Sequence, residues 1–233
     1  MPLFKNVRFY VLLLSFLYSI VLFLAVKAYI PDGSLQIIRL TQLYALSALA
    51  LLYVSLLIGP ATYSFRWIPF RGAIYRSRRA IGVSAFYFSL LHASFAFFGE
   101  LGGFAGLFYL PGKYLLAVSF SLGALCILTL MAATSFDFMV RKLGKKWKLL
   151  HRFVYLVAVL VLTHALLIGS HFQDLSGIIP RVFLGAFALL LLMEANRFDV
   201  FLQRKFAALP RFGFTLILVA GLIFTYLVYS FLL

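Results

Sequence analysis

Seven mainly apolar stretches, residues 9–30, 40–63, 80–98, 114–136, 149–170, 178–195 and 212–233, follow one another along the chain. Each is close to or above the ~20 residues that a helix needs to cross roughly 30 Å of hydrocarbon. Lipid offers no hydrogen bonds to the backbone, so such stretches must form helices or a closed barrel. Barrel strands alternate apolar and polar residues, and these runs do not. The expected fold is an all-α integral membrane protein of about seven transmembrane helices.

Composition agrees with that reading. The 233 residues are 64% hydrophobic and 12% charged, whereas a soluble domain carries about 25% charged residues. A net charge of +15 would suit a nucleic-acid partner in a soluble protein. In a membrane chain it is what retention of Lys and Arg on one face produces, so membrane lipid and not nucleic acid is the expected surroundings. Position supports this. Seventeen basic residues fall in alternate gaps between the apolar runs: Lys5 and Arg8; Arg66, Arg71, Arg76, Arg78 and Arg79; Arg141, Lys142, Lys145, Lys146, Lys148 and Arg152; and Arg197, Arg204, Lys205 and Arg211. The other side holds Lys27, Arg39, Lys113 and Arg181. The expected N-terminus is therefore cytoplasmic, and seven crossings put the C-terminus outside. Residues 9–30 follow two basic residues as a signal peptide does, but their length suits a retained helix.

Several chemistries find no footing. Cys126 is the sole cysteine, so no intrachain disulfide forms. No glycine-rich nucleotide fingerprint follows a strand pattern. The acids Asp32, Glu100, Asp137, Asp174, Glu194 and Asp199 sit at helix ends or in loops, so no acidic relay is expected to cross the bilayer. Glu194 reads as an interfacial partner for Arg197. Trp67 and Trp147, beside basic loops, read as surface anchors.

Histidines carry the functional signal, since ionisable residues in a membrane are costly and mark function. His92 lies in the third apolar run, His151 and His164 in the fifth, and His171 at its outer end. His92 is thirteen residues, roughly 20 Å, along the third helix from Arg79, and His164 reaches a similar depth on the fifth. The two can face each other. A pair of neutral imidazoles suits a six-coordinate haem iron used for electron transfer. Ser89, Ala85, Ala96 and Gly99 share the face of His92 and are all small. They either make room for a macrocycle or allow close helix packing. His151 would lie some 140° from His164 on an ideal helix, so the two need not serve one haem. His171, seven residues on, would return to the face of His164 and is a candidate additional ligand. Arg78, Arg79, Lys145 and Lys146 are candidate contacts for haem propionates or a flavin phosphate, or they simply mark the cytoplasmic face and touch anionic lipid.

The segments TSFDFMVRKLGKKWKLLHRFVYLVAVLVLTH (residues 134–164) and RRAIGVSAFYFSLLH (residues 78–92) resemble the ferric-reductase-like transmembrane superfamily. Within it they are most similar to the haem-binding membrane subunits that serve protein-methionine-sulfoxide reductases. The resemblance covers roughly residues 40–195 and is strongest over residues 141–156. It implies a six-helix haem-binding bundle, with His92, His151 and His164 as haem-iron ligands. It also implies one or two haem b groups, FMN or a quinone at the inner electron source, a cytoplasmic flavin reductase or quinol as donor, and a periplasmic molybdenum-containing reductase as acceptor, in a bacterial inner membrane. Two departures stand out: residues 212–233 add a helix beyond six, and Arg79 stands where wider members carry a second third-helix histidine. The chain then divides into residues 1–39, an N-terminal helix and outer loop; 40–195, the haem-binding domain; and 196–233, a loop and C-terminal helix. Alternative readings are a ferric or quinone reductase membrane component, or a cofactor-free structural or transport protein. A transporter would show broken helices in symmetric halves.

Overall fold

The computed structural model describes residues 6–65, 67–206, 210 and 212–232, the last seven for their backbone alone. Lys5, Arg66, Arg211 and Leu233 of the sequence reading lie outside the described residues. All regular structure among these residues is helical: α1 (Val7–Tyr29), α2 (Gly33–Ser64), α3 (Arg71–Ser94), α4 (Phe104–Leu107), α5 (Gly112–Ala133), α6 (Asp137–Leu143), α7 (Lys145–Arg152), α8 (Val154–Ile168), α9 (Ile178–Lys205) and α10 (Gly213–Leu232). Six spans are long and apolar enough to cross a membrane: α1, α2, α3 with its extension to Glu100, α5, α7 joined to α8, and α9; α10 adds a shorter apolar helix.

Three boundaries differ from the hydropathy reading, each for a local reason. The expected loop 31–39 is mostly helix, because the Asp32 carboxylate accepts the Ser34 and Leu35 amides at 2.7 and 2.9 Å and starts α2 there. Helix α3 begins at Arg71, not near residue 80. Arginine is a good helix former whose charge keeps to water while its stem packs, so the helix continues where hydropathy stops. Helix α9 runs unbroken through residue 195 to Lys205, past the expected domain boundary.

Beyond Ser94, α3 widens into a π-helical turn, Phe95–Glu100, in which the Leu101 amide bonds the Ala96 carbonyl at 2.9 Å. Gly99 here abuts Ile37 of α2, where a Cβ would collide with the isoleucine side chain. Gly144 separates α6 from α7 with φ +52°, a conformation that side chains with a Cβ rarely adopt.

Helix α2 sits at the centre, packed chiefly on α3 and also on α1, α8 and α9, while α5 packs chiefly on α8. Leu52, Leu56, Ala85, Ala124, Leu128, Val154, Val157 and Leu190 join α2, α3, α5, α8 and α9 in one core. A second core, Val26, Leu40, Tyr44, Ala48 and Phe88, ties α1 to α2 and α3. Small hydroxyls support it: Ser15 Oγ donates to Ser84 Oγ at 2.9 Å, Ser19 Oγ and Tyr87 OH pair at 2.8 Å, and Tyr44 OH donates to the Ser19 carbonyl at 3.1 Å. The outer face of α1 is bare apolar surface, with Phe9 60% and Leu14 64% exposed, as lipid contact requires and water would penalise.

At one end of the bundle Asp137 of α6 pairs with Arg8 of α1 at 2.9 Å and with Arg79 of α3. Helix α10 is held by Asp199 of α9, which is 4% exposed. Its carboxylate accepts the Phe214 and Thr215 amides, each at 2.9 Å, and the Thr215 hydroxyl at 2.5 Å. This satisfies donors that the start of a helix otherwise leaves open.

Candidate functional site

His92 lies in the last regular turn of α3, and His164 lies one turn from the end of α8. Their imidazoles meet, with ring centroids 6.2 Å apart and planes inclined at 77°. Since α3 packs chiefly on α2 and α8 chiefly on α5, the rings reach toward each other from different helix pairs. Each is anchored to the partner of its own pair. His92 Nδ1 donates to the Thr41 carbonyl of α2 at 3.0 Å, and His164 Nδ1 donates to the Ala117 carbonyl of α5 at 2.9 Å. A carbonyl oxygen only accepts, so each Nδ1 carries the proton and each Nε2 keeps its lone pair. A carbonyl accepting from the far ring nitrogen is the usual arrangement for a metal-binding histidine.

Two facing imidazoles of this kind are a donor set that could hold a haem iron. Nitrogen–metal distances of about 2 Å and a ring radius of about 1.1 Å put the centroids of two trans imidazoles roughly 6 Å apart. The observed 6.2 Å is close to that span and also lies within the range of edge-to-face ring contacts, so the tethered Nδ1 groups carry the argument as much as the distance. Among the described residues no group of three or more His, Cys, Asp or Glu is placed to hold a metal ion. The small face of His92 resolves in part: Ala85 is in the inner core and Gly99 abuts Ile37, so these two serve close helix packing.

His151 is held apart from that pair. It lies in α7, and Phe153 interrupts the helix between α7 and α8. Its Nδ1 donates to the Trp147 carbonyl at 3.0 Å, its Nε2 stands 3.5 Å from Ser135 Oγ, and its ring stacks on Trp147 with centroids 3.8 Å apart. Trp147 Nε1 in turn donates to the Thr134 carbonyl at 2.9 Å. Trp147 therefore positions His151, a contact that its reading as a surface anchor did not include. His171 follows the end of α8 at Ile168, where Gly169 turns extended with ψ 120°. The helical register that would return His171 to the face of His164 is broken there.

The four basic candidates part company. Arg79 is engaged by Asp137, and the two arginines hold that carboxyl below the usual carboxylate range, Arg79 more than Arg8. Arg78 Nε donates to the Ser55 carbonyl at 2.8 Å, five residues before Pro60, through which α2 continues to Ser64. Lys145 and Lys146 are exposed on the first turn of α7. Arg71, Arg76 and Arg197, which the sequence reading did not single out as ligands, join Arg78 around a cavity of about 660 Å³. Glu194 pairs with Arg197 at 3.0 Å as expected, and also accepts from Tyr155 OH at 3.0 Å.

Residues 42–162 match the family described as ferric reductase like transmembrane component. That stretch contains His92 and His151 and ends just before His164. The chain is similar to the protein-methionine-sulfoxide reductase heme-binding subunit MsrQ of Klebsiella pneumoniae (strain 342), 38% identical over 122 residues, which are 51% of this chain and 58% of that protein. The subunit of the same name from Pectobacterium carotovorum subsp. carotovorum (strain PC1) is 40% identical over 124 residues, again 51% and 58%. The match thus spans little more than half the length of these relatives. No solved structure matches the chain.

Proposed function

The chain belongs to the family of ferric reductase like transmembrane components, and from that premise we propose that it is a b-type haem membrane subunit that carries electrons across the bilayer. The observation that carries this reading is the His92–His164 pair, 6.2 Å apart with both Nδ1 groups donating to backbone carbonyls. His92 and His164 would hold a haem between α3 and α8. When bound, haem supplies a one-electron couple inside the membrane. The protein's part is mechanical and electrostatic. The Thr41 and Ala117 carbonyls fix the tautomer and rotation of each ring. The core around Ala85, Val154 and Val157 keeps water out below the pair. With both imidazoles engaged, a haem held there would favour electron transfer over oxygen binding.

His151, stacked on Trp147 near the basic end, is the ligand position for a second haem. The donor is a cytoplasmic flavin, FMN included, or a quinol, and the acceptor is a periplasmic reductase such as a methionine sulfoxide reductase. The relatives named as heme-binding subunits of a protein-methionine-sulfoxide reductase support that direction. The concentration of basic side chains at the end where α1 and α3 begin supports a cytoplasmic N-terminus in a bacterial inner membrane.

The test uses the purified chain in proteoliposomes with its absorption followed over time. Reduced flavin or quinol should reduce the haem. Reoxidation should then require both a protein-methionine-sulfoxide reductase and methionine sulfoxide. Rapid reoxidation by ferric chelates without the reductase would instead favour a ferric reductase component.

A further inference from the structure

We infer that the arginine-lined cleft between α2, α3 and α9 is a binding site for the phosphate headgroup of an anionic phospholipid. The cleft, about 660 Å³, is walled by Arg71, Arg76 and Arg78 of α3 and Arg197 of α9, with Gly59 and Tyr63 of α2 on its floor. Gly59 is where two guanidinium groups converge: a Cβ there would lie 3.5 Å from Arg78 Nη1 and 3.6 Å from Arg197 Nη1. The missing side chain leaves room between the two forks.

Charge in the cleft is out of balance. Arg197 has Glu194 as its partner, but among the described residues no carboxylate lies within 4.0 Å of Arg71, Arg76 or Arg78. Arg78 is half-buried and fixed through Nε to the Ser55 carbonyl, so its outer nitrogens are presented to the cleft rather than free to swing into water. Arg71 and Arg76 are exposed and Arg78 is half-buried, so three like charges line one cleft and give it an excess of positive charge that suits an anion. Planar guanidinium forks suit phosphate, which they bind in pairs of parallel hydrogen bonds.

Continuity with apolar surface favours lipid over a soluble phosphate. A second cavity of about 330 Å³ shares Tyr63 and Arg197 with the first, and runs past Phe198 and Phe201 to Arg204. Phe198 and Phe201 are 44% and 56% exposed. On α9 these rings follow Arg197 toward the basic end. A phosphate seated among the arginines would therefore have exposed aromatic rings beside it at headgroup level, where such rings settle, while Arg204 offers a further cationic contact. Basic pockets between membrane helices at the charged face take such headgroups. A row of basic residues that only set topology would need neither the converging forks nor the bare floor at Gly59.

The test is native mass spectrometry of the delipidated full chain titrated with diphosphatidylglycerol, phosphatidylcholine or inorganic phosphate. Two variants are compared with the wild type at equal helical content. Arg71→Gln/Arg76→Gln removes unpaired charge, and Gly59→Leu fills the floor with every charge kept. Diphosphatidylglycerol should bind in preference to phosphatidylcholine, and each variant should weaken it about 10-fold or more. Equal binding by all three proteins would overturn the assignment. Preference for inorganic phosphate, with the two lipids bound alike, would overturn the lipid assignment in favour of a soluble phosphate ligand. If the double variant does not fold, Gly59→Leu decides between these outcomes.

Discussion

His92 and His164 face each other at 6.2 Å and 77°, and each is tethered by Nδ1 to a helix that is not its own. The tether matters as much as the distance. A ring fixed in tautomer and rotation before metal arrives loses little freedom on binding, and hydrogen-bond acceptors on the far ring nitrogen typically raise metal affinity about 10–100-fold.

Loss of either imidazole should therefore have the same result. His92→Ala and His164→Ala are each expected to abolish one and the same haem signal. His151→Ala should leave that signal in place while reducing any second haem, because its ring is held on Trp147. His171→Ala should change neither, since the register linking it to His164 is broken at Gly169. Haem-to-protein ratios of the four purified variants check this; retention of the signal in His164→Ala with loss in His151→Ala would reverse the pairing.

Asp199→Ala removes the buried acceptor of three hydrogen bonds at the start of α10. A destabilisation of about 1–3 kcal/mol is expected, with the His92–His164 spectrum unchanged because both rings lie in other helices. Protease cleavage between α9 and α10 reads the loosening. Uncleaved variant protein of wild-type stability would show that Asp199 does not hold the helix.

Asp137 gives a pH dependence of defined sign. Its carboxyl is held below the ordinary range by Arg79 and Arg8, so the folded state binds the proton less tightly than the unfolded chain. Its stabilising contribution is present above about pH 4 and is lost as the pH falls below that through the depressed value. The carboxylate is 63% exposed, which limits the effect to under about 1 kcal/mol. Thermal melting should show Asp137→Asn slightly below wild type at pH 7, with the two converging in acid. A gap that widened in acid would contradict the sign.

How much of this was legible in the sequence depends on which atoms carry the signal. The meeting of His92 and His164 was readable, because helix rise and the order of apolar runs fix depth to within a turn. Their anchors were not, since the carbonyls of Thr41 and Ala117 belong to the backbone and have no residue signature. The start of α3 was misplaced by hydropathy, because Arg71, Arg76 and Arg78 are polar yet helical. The cleft they form with Arg197 joins positions more than a hundred residues apart, and needs the packing of α9 on α2 to appear. The π turn after Ser94 and the break at Phe153 leave no mark in composition. The end of α8 at Gly169 is why His171 loses the register that a longer helix would have given it.

Topology follows from the basic end. Reporter fusions after Leu143 and Phe206 should be cytoplasmic, and one after Leu233 external, in line with the 17 to 4 division of basic residues. A cytoplasmic C-terminus would mean that α10 lies on or returns through the membrane instead of crossing it.

The absorption spectrum of the wild-type chain, purified from haem-replete cells and recorded oxidised and then reduced, bears most directly on the haem assignment. A red protein with a Soret band and a sharp reduced α band, of the six-coordinate low-spin b type, is the expected result for iron held between His92 and His164. A colourless protein, or a five-coordinate spectrum, would contradict it.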